Sequence, residues 1–387
     1  MSERIVIVGG GPVGLALALA TSVLPGVDVT VIERGPAMGD LLPVPFDHRV
    51  YALSLASLAM LQELGVVLPA ARIAKVCAMQ VHGDGGQSGP SRLDFNEGQP
   101  LAAIVEHAAV MCALQTGLLQ DGRVKILRGV SPIEMQSLGE NRRELMLSDG
   151  SKIQSDLLVA ADGSRSQIRE WAGISTAVKD YESDGVVANF KAERPHGDIA
   201  RQWFTRDAVL AYLPLPDNHI SIVWSVGKEV SKALPTNDPD AFSRAVEEAG
   251  YKSLGALSLV SQIARFPLLR IMANEWVQPG LALIGDAAHA VHPLAGQGVN
   301  LGFADVRNMA AVLRARSKYS AIGDLALLRR YERGGREAAW AVGEMTERLR
   351  SLYLSDVSAA RWLRNDGIAL LNRMPAVKSQ LIDYASR

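Results

Sequence analysis

The chain has 387 residues, of which 48% are hydrophobic and 21% charged, and its formal net charge is −1. That length suits one large domain or two interlocked ones, and the composition is that of a packed globular protein. With 40 basic against 41 acidic side chains, the basic excess of a nucleic-acid binder is missing and that class is excluded. The two cysteines, Cys77 and Cys112, form no Cys-x-x-Cys pair. A disulfide framework, a zinc site and a thiol redox motif therefore have no basis, and no metal site is expected. Inert buried thiols suit the reducing cytoplasm.

Residues 5–27, IVIVGGGPVGLALALATSVLPGV, are uncharged and mostly apolar, which imitates a membrane span. The glycine cluster and Pro12 would break such a span near its start. A strand, a tight turn and a buried helix explain the order better. Arg4 to Val8 therefore reads as a buried parallel strand, Gly14 to Leu24 as a helix and Val27 to Ile32 as the next strand, which together form a βαβ unit. A second helix is expected from about Arg49 to Leu64. Gly83 to Gly98 carries turn or hairpin composition, Ala108 to Leu119 reads as a helix and Val124 to Leu127 as a strand. Glu144 to Leu147 and Lys152 to Gln154 flank the hairpin signal Asp149-Gly150.

Leu157 to Ala161 is another apolar strand, entering a turn at Asp162-Gly163. From Val186 to Val226 the texture changes to alternating segments (VVANFKA, ARQWFT, AVLAYLPL, SIVWSV), which suggests an antiparallel sheet forming a second layer. Trp203, Phe204, Tyr212 and Trp224 on these strands would alternate between cavity lining and core if the sheet roofs a binding site, with plain core packing the default for each. Asp238 to Ala249 reads as a helix, Leu281 to Ile284 as an apolar strand, and Gly298 onward as helical. Amphipathic helices dominate from Leu325, where Arg329, Arg330, Arg333 and Arg336 share a solvated helix face open to anionic lipid.

Two motifs carry chemistry. Gly9-x-Gly11-x-x-Gly14 follows a strand and opens a helix through Pro12 and Val13. Its glycines permit a tight turn and let backbone approach a pyrophosphate at the helix N-terminus. Glu33 ends the second strand at the spacing of a ribose-binding carboxylate, with Arg34 beside it. This motif predicts an adenine dinucleotide and leaves FAD against NAD open. The second motif, Leu281-Ala-Leu-Ile-Gly285-Asp286-Ala-Ala-His289 followed by Pro293, Gly296, Gln297, Gly298, Val299 and Asn300, decides for FAD. Asp286 can accept a hydrogen bond from a ribityl hydroxyl. Backbone N–H groups and a helix N-terminus in 293–300 would favour the negative charge of a reduced flavin. His289 and His292 are three apart with no third ligand nearby, so a metal role is not expected; His289 reads as a hydrogen-bonded residue behind the flavin contacts, with general-base duty by either histidine as the alternative.

With these motifs in place, GDAAHAVHPLAGQGVNLGFADV, together with Ala161-Asp162-Gly163-Ser164-Arg165-Ser166 and Asp47-His-Arg49-Val-Tyr-Ala-Leu-Ser54, resembles the group A FAD-dependent aromatic monooxygenases of the para-hydroxybenzoate hydroxylase type. Within them the chain is most similar to the ubiquinone-biosynthesis hydroxylases of the UbiH/UbiF/VisC group, over residues 4 to about 378. The resemblance implies an α/β fold: a Rossmann-like FAD-binding domain of the glutathione-reductase type, an inserted antiparallel-sheet substrate domain and C-terminal helices. The corresponding ranges are 1–75, 100–180 and 265–340 for the FAD-binding domain, 76–99 and 181–264 for the substrate domain, and 341–387 for the helical segment. It implies FAD contacts by Gly9, Gly11, Pro12, Val13, Gly14, Glu33, Arg34, Arg49, His107, Asp162, Gly163, Gly285, Asp286, Pro293, Gly296, Gly298, Val299 and Asn300. Pro293, Gly296, Gln297 and His289 would stand at the reacting end of the flavin. His107 occupies a position that is usually Gln or Asn in related hydroxylases, and Val67 one that is Trp in the subgroup.

The activity implied is hydroxylation of the aromatic ring of a polyprenyl phenol in ubiquinone biosynthesis, with O₂ as co-substrate and a flavin C4a-hydroperoxide as oxidant. Electrons would come from NAD(P)H or a separate reductase. The protein's part is to position the ring and exclude water. A ubiquinone-biosynthesis protein complex and peripheral contact at the inner membrane face are the partners implied for a cytoplasmic protein. Two other roles fit the same cofactor motifs: an FAD-dependent reductase of a prenylated substrate, and a flavin-bound assembly subunit without turnover.

Overall fold

The computed structural model describes residues 2–36, 42, 44–83, 92–95, 99–205, 207–291 and 298–354. Strand β1 (Glu3–Val8) buries Ile5, Val6, Ile7 and Val8, which demands neighbours on both faces. It pairs in parallel with β2 (Val27–Glu33) and with the strand Leu157–Ala160. The sheet runs Val277–Gln278, Leu281–Leu283, Leu157–Ala160, β1, β2, Val124–Arg128, and its one antiparallel pair is the edge hairpin Val277–Gln278 with Leu281–Leu283. Between β1 and β2 runs helix α1 (Pro12–Ser22), with Gly11 as N-cap and Pro12 at its first position. Every residue from Gly14 to Ser22 is buried, so the membrane-like run of the sequence is an interior strand and an interior helix. Among the described residues no helix is long and apolar enough to cross a membrane.

The helix expected from Arg49 begins later. Val50–Ser54 is a strand, β3, paired antiparallel with Ala102–Glu106. Val50 and Tyr51 favour an extended, half-buried surface. Ser54 then caps helix α2 (Leu55–Glu63) by accepting from the Ser57 amide at 3.2 Å. Helix α3 (His107–Asp121) starts directly after Ala102–Glu106. The expected hairpin at Asp149-Gly150 forms, with Gly150 at φ +82°.

The second layer is a nine-stranded sheet in the order His289–Ala290, Ala264–Ala273, Thr176–Ala192, His219–Gly227, Ala208–Leu215, Ile199–Phe204, Ala78–His82, Arg92–Phe95, with Leu257–Leu259 paired to Thr176–Ala192 at the side. It is not wholly antiparallel. Ile199–Phe204 and Ala78–His82 pair in parallel, because the latter arrives from a distant part of the chain instead of through a hairpin. The strand Ala264–Ala273, placed by sequence largely in the FAD-binding part, belongs to this sheet. The last described helix, Leu325–Leu354, runs without a break across the expected boundary at 341. Arg336 on it donates to the Asn274 carbonyl at 2.6 Å. Residues 84–91, 96–98 and 355–387 of the expected hairpin and C-terminal segments lie outside the described residues.

Alternation along these strands gives the sheet two faces. The outer one (Val186, Ala188, Phe190, Trp203, Leu210, Tyr212, Ile222 and Trp224) forms a second core under the helix Pro239–Ala249. The Tyr212 hydroxyl donates to the Val246 carbonyl at 2.7 Å, and the Trp203 and Tyr212 rings meet edge to face at 4.7 Å. Trp203, Tyr212 and Trp224 are thus all core residues. Phe204 points the other way and packs with Val81. The inner face carries Val187 and Asn189, Val223 and Ser221, Ala211 and Leu213 in adjacent register.

The helix Gly298–Arg314 packs against α1 at a residue-sized gap. A Cβ at Gly302 would lie 2.4 Å from a Val13 methyl, closer than carbon atoms approach. Gly302→Ala is expected to cost about 1–3 kcal/mol as an overpacked contact. Combined with Val13→Ala it should cost less than the two single losses together, which denaturant unfolding of the four proteins would measure.

Candidate cofactor site

The first glycine turn is built by close backbone approach. Gly9 has φ +111°, and a Cβ on it would lie 2.2 Å from the Ala161 carbonyl oxygen at the end of the neighbouring strand. A Cβ on Gly14 would lie 2.0 Å from the Gly9 oxygen. Gly10, unremarked in the sequence, has Glu33 against it at 2.9 Å. The Glu33 carboxylate accepts from the Gly10 amide at 2.6 Å and from the Gly35 amide at 2.7 Å, so β2 fastens the turn directly. Arg34 beside it is exposed.

The second turn comes from the other half of the chain and meets the first at Val13. Gly285, at φ +59°, would place a Cβ 3.3 Å from one Val13 methyl, and Gly302 meets the other. Val13 is therefore the wedge between the two motifs through its side chain. Asp286 follows Gly285 at the floor of the resulting cleft. Its carboxyl is open to solvent yet surrounded by protein, and burial pushes its pKa up, opposed by the charges of His289 and Arg49.

Arg49, Tyr51 and His107 form the facing wall. The Arg49 guanidinium lies 5.4 Å from the Tyr51 ring centre, and the Tyr51 oxygen is 2.7 Å from His107 Nδ1. Burial pushes the Tyr51 pKa up to about 12. Burial, helped by the Arg49 charge, brings His107 down to about 4. At neutral pH the phenol and the imidazole are therefore both uncharged and share this hydrogen bond. The neutral imidazole keeps one ring N–H, a donor of the kind that a Gln or Asn has.

The loop before β3 is held by partners that sequence reasoning missed. The fully buried Glu106 carboxylate accepts from the Asp47 amide at 2.5 Å and from Arg72 at 3.0 Å, and Arg72 also donates to the Pro45 carbonyl at 2.7 Å. Burial raises the Glu106 pKa against these bonds. Asp47 caps α3 by accepting from the Ala108 amide at 3.2 Å, and the Asn189 side chain of the large sheet donates to the Asp47 carbonyl at 2.8 Å. No short-range sequence signal links residues so far apart.

Other expected site residues divide. Asp162 accepts from the Gln167 and Ile168 amides through Oδ2, while its buried Oδ1 has no partner among the described residues. Gly163, at φ +85°, is open on its Cβ side. The Asn300 side chain is committed elsewhere: it accepts from the Ser54 amide and the Ser57 hydroxyl and donates to the Ala52 carbonyl, tying its helix to β3. Val299 packs partly against the main core. His289 does not open into the cleft. It is 2% exposed, bonded to Asp305 at 2.7 Å and tilted against Trp276, so the place expected for it at the reacting end of the flavin gives way to a buried one. Pro293, Gly296, Gln297 and His292 lie outside the described residues. Val67 is 83% exposed, so no core contact was built on the expected Trp position.

A dinucleotide fits this arrangement. A Cβ at Gly11 or at Gly298, the first residues of two helix N-termini, would meet nothing within 4 Å. Both glycines leave space where backbone N–H groups and the positive helix end favour an anion. The unpartnered Asp162 oxygen offers an acceptor beside the same turn. When FAD is bound, Gly9, Gly11 and Gly14 would cradle its pyrophosphate and Asp286 its ribityl chain.

A parallel sheet opening through a glycine turn into a buried helix, a second glycine turn against the first, and a large mixed sheet alongside define an FAD-dependent monooxygenase fold. The chain belongs to the FAD binding domain family, whose model matches residues 3–346, and it is an FAD-dependent monooxygenase. It is 33% identical over 399 residues to 3-demethoxyubiquinol 3-hydroxylase of Escherichia coli (strain K12), covering 99% of this chain and 98% of that protein. It is also 33% identical over 393 residues to ubiquinone hydroxylase UbiL of Rhodospirillum rubrum, covering 98% and 89%. Among solved structures, p-nitrophenol 4-monooxygenase PnpA from Pseudomonas putida DLL-E4 superposes with a TM-score of 0.79 at 18% identity, covering 100% of this chain and 98% of that one.

Gly11→Ala meets no protein atom, so the apoprotein should fold with unchanged thermal stability while FAD binding weakens at least about tenfold. Flavin fluorescence titration of apoprotein measures this. His107 gives a pH signature. Its folded pKa of about 4 lies below the unfolded value of 6.5, so its contribution to stability is complete above pH 6.5 and is lost as pH falls toward 4. His107→Gln should flatten the acid side of the stability profile in that window, read from melting temperature against pH.

Proposed function

We propose that this flavoprotein hydroxylates the aromatic ring of a polyprenyl phenol in ubiquinone biosynthesis, with O₂ as co-substrate. The observation that carries the reading is the uncharged middle of the large sheet's inner face, inside Lys191 at its end, taken together with hydroxylase relatives matched over nearly the whole chain. Val187, Ala211, Leu213 and Val223 are apolar, and Asn189, Ser221 and Gln202 beside them are polar but neutral. A carboxylated substrate would call for a paired cation on such a surface. A phenol with a long hydrocarbon tail is bound by apolar area with a few neutral hydrogen-bonding groups.

The cofactor supplies the activation of O₂ and its transfer to an electron-rich ring. The chain's residues hold and shield. Gly9, Gly11 and Gly14 bind the pyrophosphate, Glu33 secures their turn, and Arg49 adds charge to the phosphate side. Asp286 would accept from the ribityl chain, and the neutral His107 ring would face the cofactor's edge. The N-terminus of the helix from Gly298 favours negative charge on the reduced ring. The inner face of the sheet excludes water from the substrate, which keeps the oxidant from decaying unproductively. Electrons enter from NAD(P)H or from a separate reductase. Contact with a ubiquinone-biosynthesis complex at the inner membrane face fits a tail that partitions into lipid.

Cells lacking the protein should accumulate a prenylated precursor one oxygen atom lighter than the next intermediate, identified by mass after quinone extraction. An unchanged quinone pool would remove the pathway assignment. With purified protein, O₂ consumption should match hydroxylated product one to one. Reduction of a prenylated substrate without O₂ uptake would favour a reductase, and a yellow protein that never oxidises a donor would favour an assembly subunit.

A further inference from the structure

The turn that presents Asp286 is fixed from behind by a sealed pair of side chains that the mechanism above does not use. Asp305, on the helix Gly298–Arg314, is 3% exposed, and His289, at the end of the turn, is 2% exposed. Asp305 Oδ2 lies 2.7 Å from His289 Nε2 and accepts the Gly285 amide at 2.9 Å. A single carboxylate oxygen thus grips both ends of the five-residue turn Gly285–His289.

Further contacts hold the same turn. Arg169 donates to the Ala287 carbonyl at 2.8 Å, and the Ala288 amide closes on the Gly285 carbonyl at 2.8 Å. The Trp276 ring backs the imidazole at 4.9 Å, and the Trp276 amide is itself held by Glu332 at 2.9 Å. Gly285 sits in the left-handed region at φ +59°, which glycine adopts freely, so these contacts and not the backbone fix the turn.

We propose that Asp305 and His289 are positioning residues: their buried bond locks the Gly285–His289 turn and thereby sets the affinity of the Asp286 carboxylate for the cofactor's polyol chain. Burial works against charge on the imidazole, and the facing carboxylates of Asp305 and Asp286 outweigh it, so its pKa is raised. An apolar side chain would leave Asp305 buried with one of its two donors gone. Losing a hydrogen bond to a charged group is worth about ten- to a hundredfold in an equilibrium constant.

The inference rests on the reading of Asp286 as a cofactor ligand, and the test separates the two. FAD is titrated into apoprotein and flavin fluorescence quenching is read for the parent, His289→Leu, His289→Gln, Asp286→Asn and the Asp286→Asn/His289→Leu double variant. Near-ultraviolet circular dichroism checks that each is folded. His289→Leu should weaken FAD binding about ten- to a hundredfold while the KM for NAD(P)H moves by less than about threefold. His289→Gln, which keeps a donor near the Nε2 position, should stay close to the parent. In the Asp286→Asn background, His289→Leu should add little, because the pair acts through that carboxylate.

Parent-like FAD affinity in His289→Leu, or a loss that adds in full to that of Asp286→Asn, overturns the clamp. If Asp286→Asn itself binds FAD as tightly as the parent, the ligand reading of Asp286 fails and the clamp with it. Should His289→Leu not fold, His289→Gln against His289→Asn decides. The shorter amide cannot reach Asp305, so the proposal requires weaker FAD binding in Asn than in Gln, and equal binding refutes it.

Discussion

Two helix N-termini from opposite ends of a chain can serve one ligand only if almost nothing but backbone separates them. Here that condition is met at a single side chain. Val13, in the first turn of α1, occupies the space left by two absent side chains, at Gly285 and Gly302. Larger residues at either glycine would force the early and late turns apart. The anion-favouring ends of α1 and of the helix Gly298–Arg314 would then diverge, and the dipoles that each presents would act on different volumes. The remaining glycines of the site serve the same closeness. Gly9 and Gly14 bring a strand end, a turn and a helix start within backbone contact, and Gly11 and Gly298 leave the space so created open.

Such closeness concentrates charge, and the surrounding polar network is organised to carry it. Glu106, Asp305 and Asp162 are carboxylates set in or at the edge of the interior, and each accepts backbone amides, two of them at the start of a loop or helix that bears a site residue. An amide donor stabilises a buried carboxylate without bringing a second mobile side chain, so the anchoring is stiff. Arg72 and His289 supply the compensating donors where amides alone do not suffice. The Asn189 bond to the Asp47 carbonyl extends this scaffold to the large sheet. The wall proposed to face substrate and the loop bearing Arg49 are thereby one mechanical unit.

How much of this was legible in the sequence depended on range. Gly9, Gly11, Gly14 and Glu33 form a local pattern because a strand, a turn and a helix must follow one another at fixed spacing, and Gly285-Asp286 likewise announces itself after an apolar strand. The strand Val50–Ser54 was read as helix because a short run of mixed apolar residues satisfies both periods, and only its pairing with Ala102–Glu106 decides between them. The aromatics Trp203, Tyr212 and Trp224 have plain core packing as their default in sequence, and alternation from the observed register puts all three on one core face. Least legible were Glu106, Asp305 and Asn189. Each works through a partner tens or hundreds of residues away, as the Asn189–Asp47 separation of 142 positions illustrates. His289 reads from sequence as a hydrogen-bonded residue beside the flavin turn, but its partner Asp305 could not be inferred from its neighbours in sequence.

That division of labour follows from leaving the chemistry to a cofactor. When the reactive group is not a side chain, no nucleophile or acid–base pair has to face the substrate, and the titratable residues are free to sit behind the wall, where they hold backbone instead of reacting. His289 is the clearest case: an imidazole beside a carboxylate in a motif turn looks like a proton relay, yet it is sealed from the cleft and its partner grips an amide. The face turned toward the proposed substrate is correspondingly plain, with Val187, Ala211, Leu213 and Val223 setting shape and Gln202 offering a neutral contact, while Asn189 and Ser221 are fully buried. A surface of that kind distinguishes substrates by volume and by the placement of one or two hydroxyls, and a methyl group gained or lost there changes affinity by only about 1–3 kcal/mol.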